Sequence, residues 1–172
     1  MDNSHSLASS HLRVISVLSP PKVDFMTDQE LVEAARTAAL RAYAPYSNFS
    51  VGCAIESVDG DVVTGANMEN ACYRLGVCAE VSALTAAQAA FGLDMIARIA
   101  VAGGDGSGAE LAGTSTVTPC GGCRQSILEA AQLSGRDIEI LFSNGDGTNH
   151  DRRHIHALIP HGFGPANLKD SA

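Results

Sequence analysis

The chain has 172 residues, enough for one domain with a substantial core, and its 45% hydrophobic and 17% charged composition is that of a soluble globular protein. No stretch approaches the roughly 18 uninterrupted apolar residues of a membrane-spanning helix. A net charge of -8 argues against a surface built to grip a polynucleotide and favours a small, roughly neutral substrate, although Asp151-Arg152-Arg153-His154 forms a local patch that could bind phosphate.

Residues 1–25 are serine-rich, close on Pro20-Pro21 and lack a charged n-region followed by an apolar core, so they read as an extension without a secretory signal. The domain is expected over 26–172. Thr27-Asp28-Gln29-Glu30 caps a helix whose apolar positions recur at Leu31, Ala34, Ala35, Ala38 and Ala39, and Pro45 with Ser47-Asn48 ends it. Val51–Ile55 and Asp61–Gly65, joined through Asp59-Gly60, predict two antiparallel strands. A helix follows from about Cys78 to Gly92, then a strand over Ile96–Ala102, and a Gly/Ser/Thr-rich loop or hairpin from Asp105 to Thr116. A second helix over Gly121–Leu133 and a strand over Ile138–Phe142 complete the pattern. Alternating helices and strands predict a layered α/β domain with four or five strands and helices on both faces. The late histidines, His150, His154, His156 and His161, read as surface or helix-end residues.

Five cysteines, an odd number in a chain without a secretory signal, point to a reducing, cytoplasmic compartment and to metal or catalytic chemistry rather than disulfides. Taken alone, Cys78-Ala79-Glu80 is a small buried thiol near a solvated carboxylate. Its meaning changes at Thr118-Pro119-Cys120-Gly121-Gly122-Cys123-Arg124-Gln125. Two cysteines three apart in the first turn of a helix can aim both sulfurs at one ion. A C-x-x-C pair also serves redox chemistry or half of a structural zinc site. The redox use wants the pair after the first strand of a βαβ unit, and a structural zinc wants a fourth protein ligand. Cys53, in an alternating strand, and Cys72, six residues before Cys78, do not supply that ligand. Cys78, Cys120 and Cys123 therefore describe a three-thiolate zinc with an open position for water, and Glu80 a carboxylate placed to take that water's proton.

Four stretches together resemble the small zinc-dependent cytidine deaminases: Ala44-Pro45-Tyr46-Ser47-Asn48-Phe49 leading into Val51-Gly52, NMENACY at 67–73, CAE at 78–80 and PCGGCRQ at 119–125, with Phe163-Gly164-Pro165 and Leu168 resembling the family's ending. The resemblance spans Tyr43 to Leu168 and is similar to the short-chain, homotetrameric branch. It implies a three-layer α-β-α cytidine deaminase-like fold with a mixed sheet of about five strands. It also implies a Zn2+ cofactor and a pyrimidine-salvage reaction converting cytidine and deoxycytidine to uridine and deoxyuridine with release of ammonia. Asn67 and Glu69 would hold the ribose hydroxyls, and Phe49 would pack on the pyrimidine. Ala71, Tyr73 and Phe163 would lie where subunits meet and complete neighbouring sites, and the Ala79 backbone would read the base edge. Glu80 would pass protons to N3 and to the departing amine.

The family's arginine after the C-A-E glutamate is absent: Val81 stands there. Zinc with three thiolates carries net charge -1 and needs compensation: the helix N-termini supply part of it, and the charged candidates are Arg124, which could equally pair with a surface carboxylate, and Arg74. The same departure keeps a deaminase of modified cytosine nucleosides, blasticidin S type, as the alternative. A nucleic-acid editing deaminase is disfavoured by the acidic balance. A zinc module that only scaffolds a partner would leave Glu80 and Asn67 without roles.

Overall fold

The computed structural model describes residues 24–169, so the extension expected over residues 1–25 lies, but for Asp24 and Phe25, outside the described residues. Helix α1 (Asp28–Ala39) begins with a reciprocal capping box: the Glu30 N–H donates to Thr27 Oγ1 at 3.3 Å, and the Thr27 N–H donates to Glu30 Oε2 at 2.7 Å. Its Leu31, Val32, Ala35, Ala38 and Ala39 are buried, as the spacing requires. The helix stops at Ala39, before Pro45. The N–H groups of Arg41 and Ala42 bond back only three residues, to Ala38 and Ala39, which tightens the last turn and frees Tyr43 to pair with the segment at Asn67–Glu69.

Strand β1 (Phe49–Ser57) turns through Asp59-Gly60, where Gly60 takes φ 84°, into β2 (Val62–Ala66). Helix α2 (Ala79–Ala90), strand β3 (Ile96–Asp105), helix α3 (Gly121–Ser134) and strand β4 (Glu139–Ser143) follow the predicted order. Gly135 at φ 66° ends α3 in the left-handed conformation that closes helices. Asp105 and Ala112 exchange two backbone hydrogen bonds, so the Gly-rich segment folds back as a hairpin. A strand not read from the sequence, β5 (His150–His154), completes the sheet, and short helices α4 (Ile155–Leu158) and α5 (Pro165–Lys169) follow it.

The sheet order is β2-β1-β3-β4-β5, with β3 and β4 parallel and every other pair antiparallel. Helix α3 makes the crossover that a parallel pair needs. Two cores result. Leu31, Val32 and Ala35 of α1 pack on Ala54, Ala100, Ala102 and Leu141 from one face. Ala83, Leu84 and Ala87 of α2 join Ile127, Leu128 and Ala131 of α3 over Ile55, Ile99, Val101 and Ile140 on the other. This is the expected three-layer α-β-α arrangement around a mixed five-stranded sheet.

At the far end of the sheet, fully buried Glu56 accepts from Arg98 Nε at 2.7 Å and from the Met26 N–H at 2.6 Å. Arg98 also bonds Asp28 and the Met26 carbonyl, and Arg152 bridges Asp28 and Glu139. Arg153 pairs with Asp151, so the arginines of the 151–154 patch already face carboxylates. His154 Nδ1 lies 2.8 Å from the Asp137 carbonyl, and His156 Nδ1 lies 2.7 Å from Asp137 Oδ1, which keeps both histidines on the surface as expected.

The approach of α1 to the sheet depends on Gly52. A Cβ there would sit 2.0 Å from the Ala35 carbonyl oxygen and 2.4 Å from the Ala39 nitrogen. Both are backbone atoms that cannot swing aside. Gly52→Ala is expected to lower unfolding free energy by about 3 kcal/mol, read as a fall in the denaturant midpoint at unchanged slope; an unchanged midpoint would show that α1 rides freely on β1.

Candidate metal centre and its surroundings

Helices α2 and α3 begin side by side. Cys78 is the N-cap of α2 and Cys120 the N-cap of α3, both with extended backbone and neither sulfur used to cap its own helix. Cys123 follows in the first turn of α3, buried, while Cys78 and Cys120 are exposed. The three sulfurs lie within 4.8 Å of one another, and those of Cys120 and Cys123 are 3.4 Å apart. All five cysteines are free thiols.

The electrostatics of this cluster describe its chemistry. The Cys120 thiol is held below its ordinary range, chiefly by the Cys123 backbone N–H directed at its sulfur. Burial pushes the Cys78 and Cys123 thiols up, and the charge of Glu80 adds to both shifts. The Cys120 thiol is thus shifted toward its anion, and the Cys78 and Cys123 thiols away from theirs. A divalent cation opposes the latter shift, because thiolate ligation trades the protons for metal charge. Three thiols aimed at one point from two helix N-termini fit zinc by donor type and by number, with one position left open.

Glu80, in the first turn of α2, is 4% exposed and its carboxylate reaches the Cys123 sulfur. Its charge is also felt by Cys53, a fully buried thiol on β1 whose own pKa is raised by burial first and by Glu80 second. A carboxylate in that position is walled from bulk water by the sheet and faces the cluster. Ala79, between Cys78 and Glu80 in sequence, is fully buried. Close packing of α2 on β2 makes this possible, since Gly65 lets the Ala79 carbonyl approach to 2.8 Å of where a Cβ would stand.

The segment Asn67–Glu69 is fixed next to Cys78. Met68 and Val77 exchange both backbone hydrogen bonds at 2.9 Å, and Tyr43 pairs with the same segment from its other side. The Asn67 side chain accepts from the Val51 N–H at 2.8 Å and donates to the Phe49 carbonyl at 3.0 Å. Glu69 accepts from Ser47 Oγ at 2.6 Å and from the Tyr46 N–H at 2.9 Å. Both side chains therefore hold nearby backbone, and each retains hydrogen-bonding capacity for a ligand. These bonds, Ser47's first among them, keep the Glu69 carboxyl below the usual range.

Phe49, at the start of β1, is half-exposed, and Tyr73 and Phe163 are largely exposed. Tyr73 stands edge-on to Tyr46, ring centroids 6.0 Å apart. Ala71 is exposed beside Asn70, whose Oδ1 accepts from the Cys72 N–H and so turns the chain into the tyrosine. Phe163 is tethered to the metal helix, its carbonyl accepting from Gln125 Nε2 at 2.6 Å. Two clefts meet at Gly76. One, of about 210 Å3, is lined by Tyr46, Glu69, Asn70 and Tyr73; the other, of about 300 Å3, by Cys78, Cys120, Cys123, Val81 and Ser126. Arg124 does not pair with a surface carboxylate: its Nε donates to the Pro119 carbonyl at 2.8 Å and its Nη1 to the Leu158 carbonyl at 3.1 Å, pinning the turn that carries Cys120. Arg74 lies in a short 3-10 turn beyond the cleft. Sequence reasoning passed over Ser47, Tyr46 and Cys53 as contributors. The serine two residues before Phe49 was a legible signal for the first, because short hydroxyl side chains bind backbone two positions on.

Comparison with known proteins agrees with this geometry. Residues 26–134 match the family model described as the cytidine and deoxycytidylate deaminase zinc-binding region. A cytidine deaminase of Halalkalibacterium halodurans is 35% identical over 145 residues, covering 84% of this chain and all of that protein. One of Mycobacterium tuberculosis is 44% identical over 95 residues, covering 55% of this chain and 65% of that protein. The crystal structure of a cytidine deaminase from Burkholderia pseudomallei superimposes with a TM-score of 0.70 at 39% identity, covering 80% of this chain and all of that one. The chain belongs to the cytidine and deoxycytidylate deaminase family defined by this zinc-binding region.

Proposed function

We propose that this protein is a zinc-dependent cytidine deaminase that converts cytidine and 2′-deoxycytidine to uridine and 2′-deoxyuridine, releasing ammonia, in pyrimidine salvage. The observation that carries the reading is the buried Glu80 carboxylate set against three sulfurs that converge from two helix N-termini. The relatives' names agree with it. Cys78, Cys120 and Cys123 would hold the metal. Zinc supplies a Lewis acid that makes water a nucleophile near neutral pH.

Glu80 performs the proton transfers. Its carboxylate takes a proton from the attacking water and gives it to N3 of the cytosine ring, then takes the proton of the hydroxyl now on C4 and delivers it to the C4 amine. The water oxygen becomes the C4 carbonyl as the C4–N bond breaks and ammonia departs. Asn67 and Glu69 bind the sugar, Phe49 packs on the base, and backbone at Ala79 reads the base edge. That ribose-facing pair favours ordinary nucleosides over modified ones. The net charge of -8 and the pairing of Arg152 and Arg153 with carboxylates favour a free nucleoside over a polynucleotide.

Residues 26–172 act as one catalytic domain, in a reducing cytoplasm that suits five free thiols. The assembly is a homotetramer in which Ala71, Tyr73 and Phe163 complete neighbouring sites. Support comes from the exposed rings of Tyr73 and Phe163, and from an apolar groove of about 730 Å3 between α2 and α3 that shares Val81 and Ser126 with the sulfur cleft.

Glu80→Gln is expected to keep zinc near one per chain while cytidine turnover falls at least about 10³-fold, measured by metal analysis beside an ultraviolet assay; retained turnover removes Glu80 from its role. Arg124→Gln should weaken zinc binding by about tenfold in chelator competition, because the turn carrying Cys120 loses its anchor. Unaltered affinity would place charge compensation in the helix termini alone. Light scattering of the full chain should give four times the 17.8 kDa chain mass, and a monomer mass with full activity would overturn the shared-site assembly.

A further inference from the structure

The loop between α1 and β1 contains a hydroxyl whose hydrogen-bonding capacity is spent in one direction. Ser47 Oγ accepts from the Phe49 N–H at 3.0 Å, which fixes the oxygen on its own loop. A serine hydroxyl has one proton to give, and this one goes to Glu69 Oε1 at 2.6 Å. The other carboxylate oxygen, Oε2, takes the Tyr46 N–H at 2.9 Å and the Ser47 N–H at 3.3 Å.

Glu69 is therefore held unevenly. Among the described residues, Oε2 takes two backbone donors, while Oε1 takes the Ser47 proton alone and keeps a lone pair. The Glu69 main chain is separately fixed, its N–H donating to the Tyr43 carbonyl at 2.7 Å. With backbone and both oxygens held, the carboxylate has one orientation, and its free lone pair opens on the cleft lined by Tyr46, Asn70, Tyr73 and Gly76.

We propose that Ser47 is a positioning residue that sets sugar recognition: it presents a single Glu69 acceptor to a nucleoside hydroxyl and makes the site discriminate for nucleosides that carry one. The inference rests on the nucleoside reading above and assigns a role to a residue that touches neither base nor metal. Glu69 is only half-buried, so without this tether its carboxylate would sample several rotamers, and each binding event would have to order it.

The test compares kcat/KM of the zinc-loaded full chain and its Ser47→Ala, Ser47→Thr, Glu69→Gln and Ser47→Ala/Glu69→Gln variants on cytidine and on 2′,3′-dideoxycytidine. Ser47→Ala should lose about tenfold on cytidine, mostly in KM, and no more than about threefold on the dideoxynucleoside. Ser47→Thr, which keeps the hydroxyl, should return to within about threefold of wild type. The double variant should be no worse than Glu69→Gln alone, because Ser47 acts through that carboxylate. Equal losses on the two nucleosides, or additive losses in the double variant, would overturn the proposal and leave Ser47 a loop-stabilising residue. A wild-type chain that deaminates neither nucleoside would instead overturn the functional reading, and this role with it.

Discussion

Everything at the site depends on two helices starting at the same place. The N-terminal turns of α2 and α3 are the only points at which these helices expose unpaired N–H groups, and both are occupied by sulfur. That coincidence gives the thiols a partly positive surrounding and puts them in reach of one ion. It also puts Glu80, two residues after the first cysteine, inside the packing of α2 on the sheet. The carboxylate could not be both buried and aimed at the sulfurs from a later turn. The sheet order serves the same end: with β1 and β3 central, α2 and α3 share one face and are forced into contact, while α1 is left to cover the other.

The loss of an arginine after Glu80 is easier to understand in this frame. Val81 lines both the sulfur cleft and the groove between the helices, an apolar setting in which an isolated cation would be costly. Arg124, directly after Cys123, works through carbonyls: it fixes Pro119 and Leu158 and so stiffens the turn that carries Cys120.

How much of this was legible in the sequence varies by element. Helices with caps and small apolar stripes, and the metal triad, stood out because each rests on local spacing. Strand β5 did not, since His150–His154 carries no apolar alternation. It is a sheet edge whose side chains are nearly all exposed, and its backbone pairs with β4. The turn dipeptides Asn144-Gly145 and Asp146-Gly147 were the available sign of a hairpin there. The end of α1 was misplaced because Pro45 is a strong breaker, whereas the actual stop follows from Tyr43 pairing with Met68, a contact no local pattern announces. For Asn67 and Glu69 the sequence supplied position but not circumstance. Their side chains tie down the loop and β1, and Glu69 also lines the cleft beside Tyr46 and Tyr73.

The double hydrogen bond between Met68 and Val77 has a bearing on how such a site can diverge. It welds the Asn67–Glu69 segment to the residue before Cys78, so that segment cannot slide outward without dragging Cys78 along. Room for change lies with Tyr46 and Tyr73, whose rings meet in a T-shaped contact held by side chains. Diversification of this scaffold toward larger sugars is therefore channelled through two aromatic side chains, leaving the chemistry of deamination untouched while the vestibule is redrawn.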